Sequence, residues 1–164
     1  MWKCALAAIA AFVALMTWPL MASATTSNDS AFGTGSTTAF PYGGDPAGPA
    51  PAHVSFNASS NFNGTEPFGS VSVTIGANRW DGDVTCLQVS GNFAQISGYI
   101  ERAQGSENFM GAPPVTWYIE TTDNGSSGDQ MLFSMGPQQL NFNTCAPVAF
   151  SGTMDQAAVT VHDG

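Results

Sequence analysis

The stretch that most constrains this chain is "VTCLQVSGNFAQISGYI", Val84 to Ile100, in which apolar and polar residues alternate on both sides of a Gly-Asn pair. Alternation at period two is the mark of a half-buried strand. A two-residue turn between such runs fixes which residues face each other across a hairpin. With Gly91-Asn92 as the turn, Ser90 faces Phe93, Val89 faces Ala94 and Leu87 faces Ile96. Leu87, Val89, Ala94 and Ile96 then share the core face, and Cys86 falls on the opposite one with Gln88, Gln95, Ser97 and Tyr99. A one-residue slip or a bulge reverses that assignment.

The same period runs through most of the chain after Ala52. Val54, Phe56 and Ala58 align, as do Val71, Val73 and Ile75, and Val115, Trp117 and Ile119. "QMLFSM" and "QAAVTVH" supply two further strands, the second aligning Ala157, Val159 and Val161. No window places apolar residues at i, i+3, i+4 and i+7, so helices are not expected. Without helices, parallel crossovers are not available. The fold expected is all-β, an antiparallel sandwich or small barrel of about 7–8 strands.

Two regions precede that domain. Residues 1–24 have a short positive start at Lys3, an apolar run from Ala5 to Leu20, and Ala22-Ser23-Ala24 at the end. That is the form of a signal peptide, with an uncleaved anchor as the alternative. Residues 25–51, rich in Gly, Pro, Ser and Thr, show no sustained apolar period and read as a flexible leader. Phe32, Phe40 and Tyr42 stand out there as aromatics that dock loosely on the domain. The single β domain is expected over 52–164.

Charge narrows the partners. The net charge is −9, with three Lys and Arg against twelve Asp and Glu. Removing Lys3 with the signal peptide takes the processed chain to about −10, which leaves Arg79 and Arg102 as its basic side chains. Nucleic acid and an anionic membrane surface are therefore excluded as partners, since phosphate binding needs clustered cations. An extracellular protein or a glycan remains, and the expected location is secreted, extracellular or periplasmic.

Cys4 leaves with the signal peptide, and Cys86 and Cys145 remain. A secreted chain with one such pair invites a disulfide, with two free thiols as the alternative. On the hairpin register the bond clips the Met135 to Phe150 segment across the outside of the sheet. Two cysteines without nearby histidines supply too few ligands for zinc.

"VTCLQVSGNFAQISGYI", "TTDNGSSGDQ" and the closing "VTVHD" resemble a family of small secreted bacterial proteins. Its pattern is a cysteine strand, a Gly-Asn turn, an A-x-I-x-G strand, an Asp-Asn-Gly loop and a C-terminal strand ending in His-Asp. The resemblance covers Phe56 to Asp163 and implies an all-β, exported domain. It carries over no catalytic or binding residue. Thr121-Thr122 depart from the more apolar residues the pattern has before its loop.

Three groups of residues could carry chemistry. Asp123, Asn124 and Asp129 lie in a Gly-containing loop whose oxygens suit calcium, although the bidentate Glu of an EF-hand is missing. The alternative is a turn in which Asp and Asn bond their own backbone, and Asp81-Gly82-Asp83 carries the same ambiguity. His53 and His162 stand beside no nucleophile motif, so no catalytic residue is assigned and the chain reads as non-enzymatic. Trp80, Trp117, Tyr99, Tyr118 and Phe93 offer either a sugar-stacking platform or ordinary cross-strand packing. The leading reading is a surface, matrix or partner-binding module. A carbohydrate-binding module is the alternative, and a small secreted hydrolase or inhibitor comes third.

Overall fold

The structure, a computed structural model, describes residues 28–40, 49–61, 65–105, 115–137, 145–146 and 150–164. Among these, nine strands form one antiparallel sheet. They are β1 Ser30–Phe40, β2 Ala50–Asn61, β3 Thr65–Ile75, β4 Asn78–Ser90, β5 Phe93–Gln104, β6 Val115–Thr122, β7 Gln130–Pro137, β8 Phe150–Thr153 and β9 Gln156–His162. Their order is β8-β7-β6-β5-β4-β3-β2-β1-β9. Strands β1 to β8 follow one another as a meander, and β9 returns to lie beside β1.

That order dictates the curvature. β8 and β9 occupy opposite edges of the sheet, yet Met154 and Asp155 alone separate them in sequence. So short a connection spans about 10 Å at full extension. The sheet must therefore curl until its edges approach, and the result is a half-barrel closed along one seam. Met154 N–H donates to Met131 O at 2.9 Å, carrying the β7–β8 ladder into that connection.

Inside the curl, the alternating residues expected from the sequence form the core. Val54, Val73, Ile75, Ile96, Trp117, Ile119 and Phe133 are all fully buried there. Phe40 packs on Phe133 with ring centroids 5.6 Å apart and planes tilted by 47°.

The leader expected over 25–51 does not hold for Ser30–Phe40 or for Ala50 and Pro51. The first stretch is strand β1, between β2 and β9, and the other two residues open β2. The inward positions of β1 explain why its period was hidden. They are Ala31, Gly33, Gly35 and Thr37, with Phe32 pointing outward. The missing side chains are replaced by others reaching in from the seam: a Cβ on Gly35 would meet Met131 Sδ at 2.5 Å and Met154 Cγ at 2.8 Å. Phe40 is a core residue rather than a loosely docked one. The leader residues 25–27 and 41–48, Tyr42 included, lie outside the described residues, as does the expected signal segment.

The hairpin register is the expected one: Ser90 pairs with Phe93, Val89 with Ala94, Leu87 with Ile96 and Cys86 with Ser97. Gly91 takes the turn's positive φ of 61°. A bulge falls at Thr85, between Val84 and Cys86. It lets Val84 and Leu87 both point inward and leaves Cys86 pointing out. The register shift therefore precedes the cysteine, and the assignment of Cys86 to the outer face stands.

Candidate functional site

Cys86 is bonded to Cys145 across 59 positions of sequence, with Cα atoms 5.4 Å apart. Cys145 thus reaches the outer side of the sheet, where its sulfur rests 3.3 Å from Gln95 O. Met135 to Pro137 belong to β7 and Phe150 opens β8, so the segment expected to cross the sheet is shorter than Met135–Phe150. Of its interior, Cys145 and Ala146 are described.

Outward residues near the bond are buried as deeply as the core, among them Ser97, Thr116, Tyr118 and Ser134. The Tyr118 hydroxyl donates to Glu120 Oε2 at 2.9 Å and accepts from Gln95 Nε2 at 2.9 Å. Burial, reinforced by the bond to Glu120, pushes the Tyr118 phenol up to about 12. The neutral hydroxyl is what this arrangement requires.

The Asp123–Asp129 loop, a single 3₁₀ turn at Gly125–Ser127, joins β6 to β7 beside the seam. All four of its aspartate oxygens accept from backbone N–H groups. Asp123 Oδ1 takes Gly125 N at 2.9 Å, and Asp129 Oδ1 takes Asn124 N at 2.9 Å. The other two oxygens cross the seam: Asp129 Oδ2 accepts from Val159 N at 2.8 Å, and Asp123 Oδ2 from Val161 N at 3.3 Å. Asn124 Nδ2 donates to Gly128 O at 3.1 Å. The bonds within the loop are those of the turn reading. Those to β9 add a task that the local sequence does not show, because alternate N–H groups of β9 face away from β1 and need acceptors.

Two further carboxylates hold the barrel ends. Asp155 accepts from Thr37 Oγ1 at 2.8 Å and Thr38 N at 3.1 Å, and these bonds hold its carboxyl below the usual range. Asp163 Oδ2 accepts from Gly91 N at 2.6 Å, tying the C-terminus to the hairpin turn.

Asp81 and Asp83 lie within β4 rather than in a loop. Arg79 grips Asp81 through Nε and Nη2 at 2.9–3.2 Å, which holds the carboxyl down and the guanidinium up. Both arginines, with Asp81, Asp83 and Glu101, line a shallow groove of about 290 Å³ on the outer face. A second groove, about 410 Å³, opens near the seam between Glu120, Asp129, Gln130 and Thr153. Among the described residues, no three or more His, Cys, Asp or Glu side chains are grouped to hold a metal ion.

His53 and His162 both point outward on strands flanking β1, opposite Ser36 and Ser30 respectively. Six residues along a strand separate them by about 20 Å, so they do not share a site. Of the five aromatics that suggested a stacking platform, Trp80, Trp117 and Tyr118 are buried, and Phe93 and Tyr99 are half-buried. Those five do not form an exposed platform.

Among the described residues the exposed aromatics are two others. Phe32 on β1 and Phe68 on β3 are 51% and 53% exposed, on one outer face. Phe32 pairs with Asn57 and Phe68 with Ser59, so β2 runs between them. Asn57 Oδ1 accepts from Ser70 N at 3.0 Å and from Ser70 Oγ at 3.4 Å, which fixes its carboxamide. Gly69, at φ 140°, permits that approach, because a Cβ there would collide with Asn57 O. Phe32 lies in the stretch read as a leader, where it stood out as a loosely docking aromatic, and the outward parity of Phe68 relative to Val71, Val73 and Ile75 is the signal available for it.

Among the described residues no helix is long and apolar enough to cross a membrane. Comparison with protein families, characterised proteins and solved structures finds no match for this chain.

Proposed function

We propose that this chain is an exported, non-catalytic β module that serves as an extracellular surface, matrix or partner-binding domain. The Cys86–Cys145 bond carries the reading. A disulfide joining distant strands persists in an oxidising compartment and is rare in a reducing one. The apolar leader ending in Ala-Ser-Ala supports the same destination.

Its carboxylates support the non-catalytic part. Asp123, Asp129, Asp155 and Asp163 accept backbone hydrogen bonds that close the barrel and tie down its ends. The two histidines stand about 20 Å apart along the sheet. Neither arrangement offers an acid–base pair to a substrate.

Fractionation tests the proposal. The full chain, expressed in a bacterial host, should be recovered outside the cytoplasm as a form beginning at Thr25. Recovery in a membrane fraction with Met1 intact, or inside the cell with Cys86 and Cys145 both alkylatable, overturns it.

A further inference from the structure

We propose that the outer face of β9, β1, β2 and β3 binds a neutral polysaccharide chain, seated on the rings of Phe32 and Phe68. This deepens the exported-module reading and rests on it.

Charge is the first ground. Ser30–Ser36, His53–Ser59, Phe68–Thr74 and Gln156–His162 contain no Asp, Glu, Lys or Arg, in a chain carrying twelve acids. These stretches of four neighbouring strands form a patch with no charge of its own, bordered by Asp29, Glu66, Asp155 and Asp163 at the strand ends and by Arg79, Asp81 and Asp83 on β4. Within the patch there is no cation to hold an anionic polymer and no carboxylate to hold a cationic one.

Chemistry is the second. Between the two rings lie Asn57 and Ser59, with Ser30 and Ser70 beside them. These are short groups that donate and accept hydrogen bonds. The Asn57 carboxamide is held in place by Ser70, which leaves its Nδ2 as a positioned donor. Exposed aromatic faces joined by fixed amide and hydroxyl groups suit a ligand with apolar C–H faces and a hydroxyl rim. A sugar ring has both.

Geometry is the third. Two strand spacings across and two residues along place Phe32 and Phe68 about 12 Å apart at their backbones. A short run of sugar units spans that diagonal. β1 also turns Phe32 out while Gly33 and Gly35 point in, so that ring is presented rather than packed.

Size argues against a second copy of the chain as occupant. Four strands by seven residues give a footprint of roughly 450 Å². A stable protein interface needs about 800 Å² per partner, and a convex face covers less than its footprint.

Affinity electrophoresis of the oxidised, processed protein tests the site, with hydroxyethyl cellulose, soluble starch and galactomannan as neutral probes and alginate as an acidic one. The expected result is retardation by at least one neutral probe and none by alginate. Phe32→Ser and Phe68→Ser should each weaken binding about tenfold, in line with loss of one aromatic contact. The double variant should migrate freely while melting as the wild type does, and Phe32→Tyr with Phe68→Tyr should retain binding. Failure of all three neutral probes overturns the site, as does equal retardation of the double variant. Phe-dependent dimerisation or Phe-dependent binding to phosphatidylcholine vesicles in place of glycan binding also overturns it. An exported, oxidised protein that no neutral probe retards refutes the glycan site alone, whereas a cytoplasmic, reduced one refutes the module reading itself.

Discussion

Replacing Asp129 by alanine should destabilise the protein with no metal present. One oxygen of this carboxylate accepts from Asn124 N and the other from Val159 N across the barrel seam, at 2.9 and 2.8 Å. A hydrogen bond to a charged group contributes about 1.5–3 kcal/mol, and orphaning a shielded N–H adds cost. Val159 is buried, so water reaches its amide poorly once the acceptor is gone. Allowing for partial solvation, we expect Asp129→Ala to cost about 2–4 kcal/mol. Asp129→Asn, which keeps one carbonyl acceptor, should cost roughly half. Against a typical total of about 5–15 kcal/mol this is a large fraction. In urea, where m is about 1–3 kcal/mol/M, the alanine variant's midpoint should fall by about 1–2 M with the slope unchanged. The measurement is made in excess chelator. A loss smaller than about 0.5 kcal/mol, the range of an unremarkable surface change, would refute the seam argument. If chelator alone lowers the wild type to the variant's midpoint, the carboxylate acts through a bound cation.

Further outcomes follow from other parts of the barrel. Gly35→Ala should destabilise by about 1–3 kcal/mol through overpacking against Met131 and Met154, while Thr34→Ala, on the exposed side of the same strand, should stay within about 0.5 kcal/mol by thermal unfolding. Tyr118 has its phenol raised to about 12, so its contribution is complete below the ordinary tyrosine pKa of about 10 and is lost as pH rises toward the folded value. Alkaline unfolding curves should show that decline in the wild type and not in Tyr118→Phe. Asp155, held low by Thr37 and Thr38, contributes above the usual carboxylate range and loses that contribution as pH falls through and below it, so Asp155→Asn should flatten the acid limb of the stability curve.

The hairpin was legible in the sequence because its determinants are local. Gly91-Asn92 sets which residues pair, and alternation sets which face is inward. β1 was hidden for a physical reason: its inward side is glycine at two positions, Gly35 filled by Met131 and Met154 and Gly33 closed against Ala158 and Val159 of β9, all distant in sequence. A period of apolar residues cannot register a hole that another strand fills. β8 escaped because four residues, one of them Gly152, are too few to show alternation. The Asp123–Asp129 loop was recognisable as a turn, but its bonds to Val159 and Val161 span 30 and 38 positions. They exist because β8 and β9 are joined by two residues yet sit at opposite edges of the sheet, a consequence of topology that no local motif records. The aromatic surface was misplaced for the same reason. Trp80 points into the core and Trp117 and Tyr118 lie in β6, whose two faces are both covered, while Phe32 belongs to β1, in the stretch read as a leader.

The central structural claim is that the disulfide clips the outside of a sheet whose core does not depend on it. Amide hydrogen exchange before and after reduction tests this most directly. Closing a loop of 59 positions contributes about 4 kcal/mol in the chain-entropy model, so reduction should lower global protection by that order. The amides paired between Cys86–Ser90 and Phe93–Ser97 should nevertheless remain among the slowest to exchange, because Leu87, Ala94 and Ile96 stay packed inside. Selective loss of protection at those pairs on reduction, with the rest of the sheet intact, would show that the bond supports the core and would contradict the account.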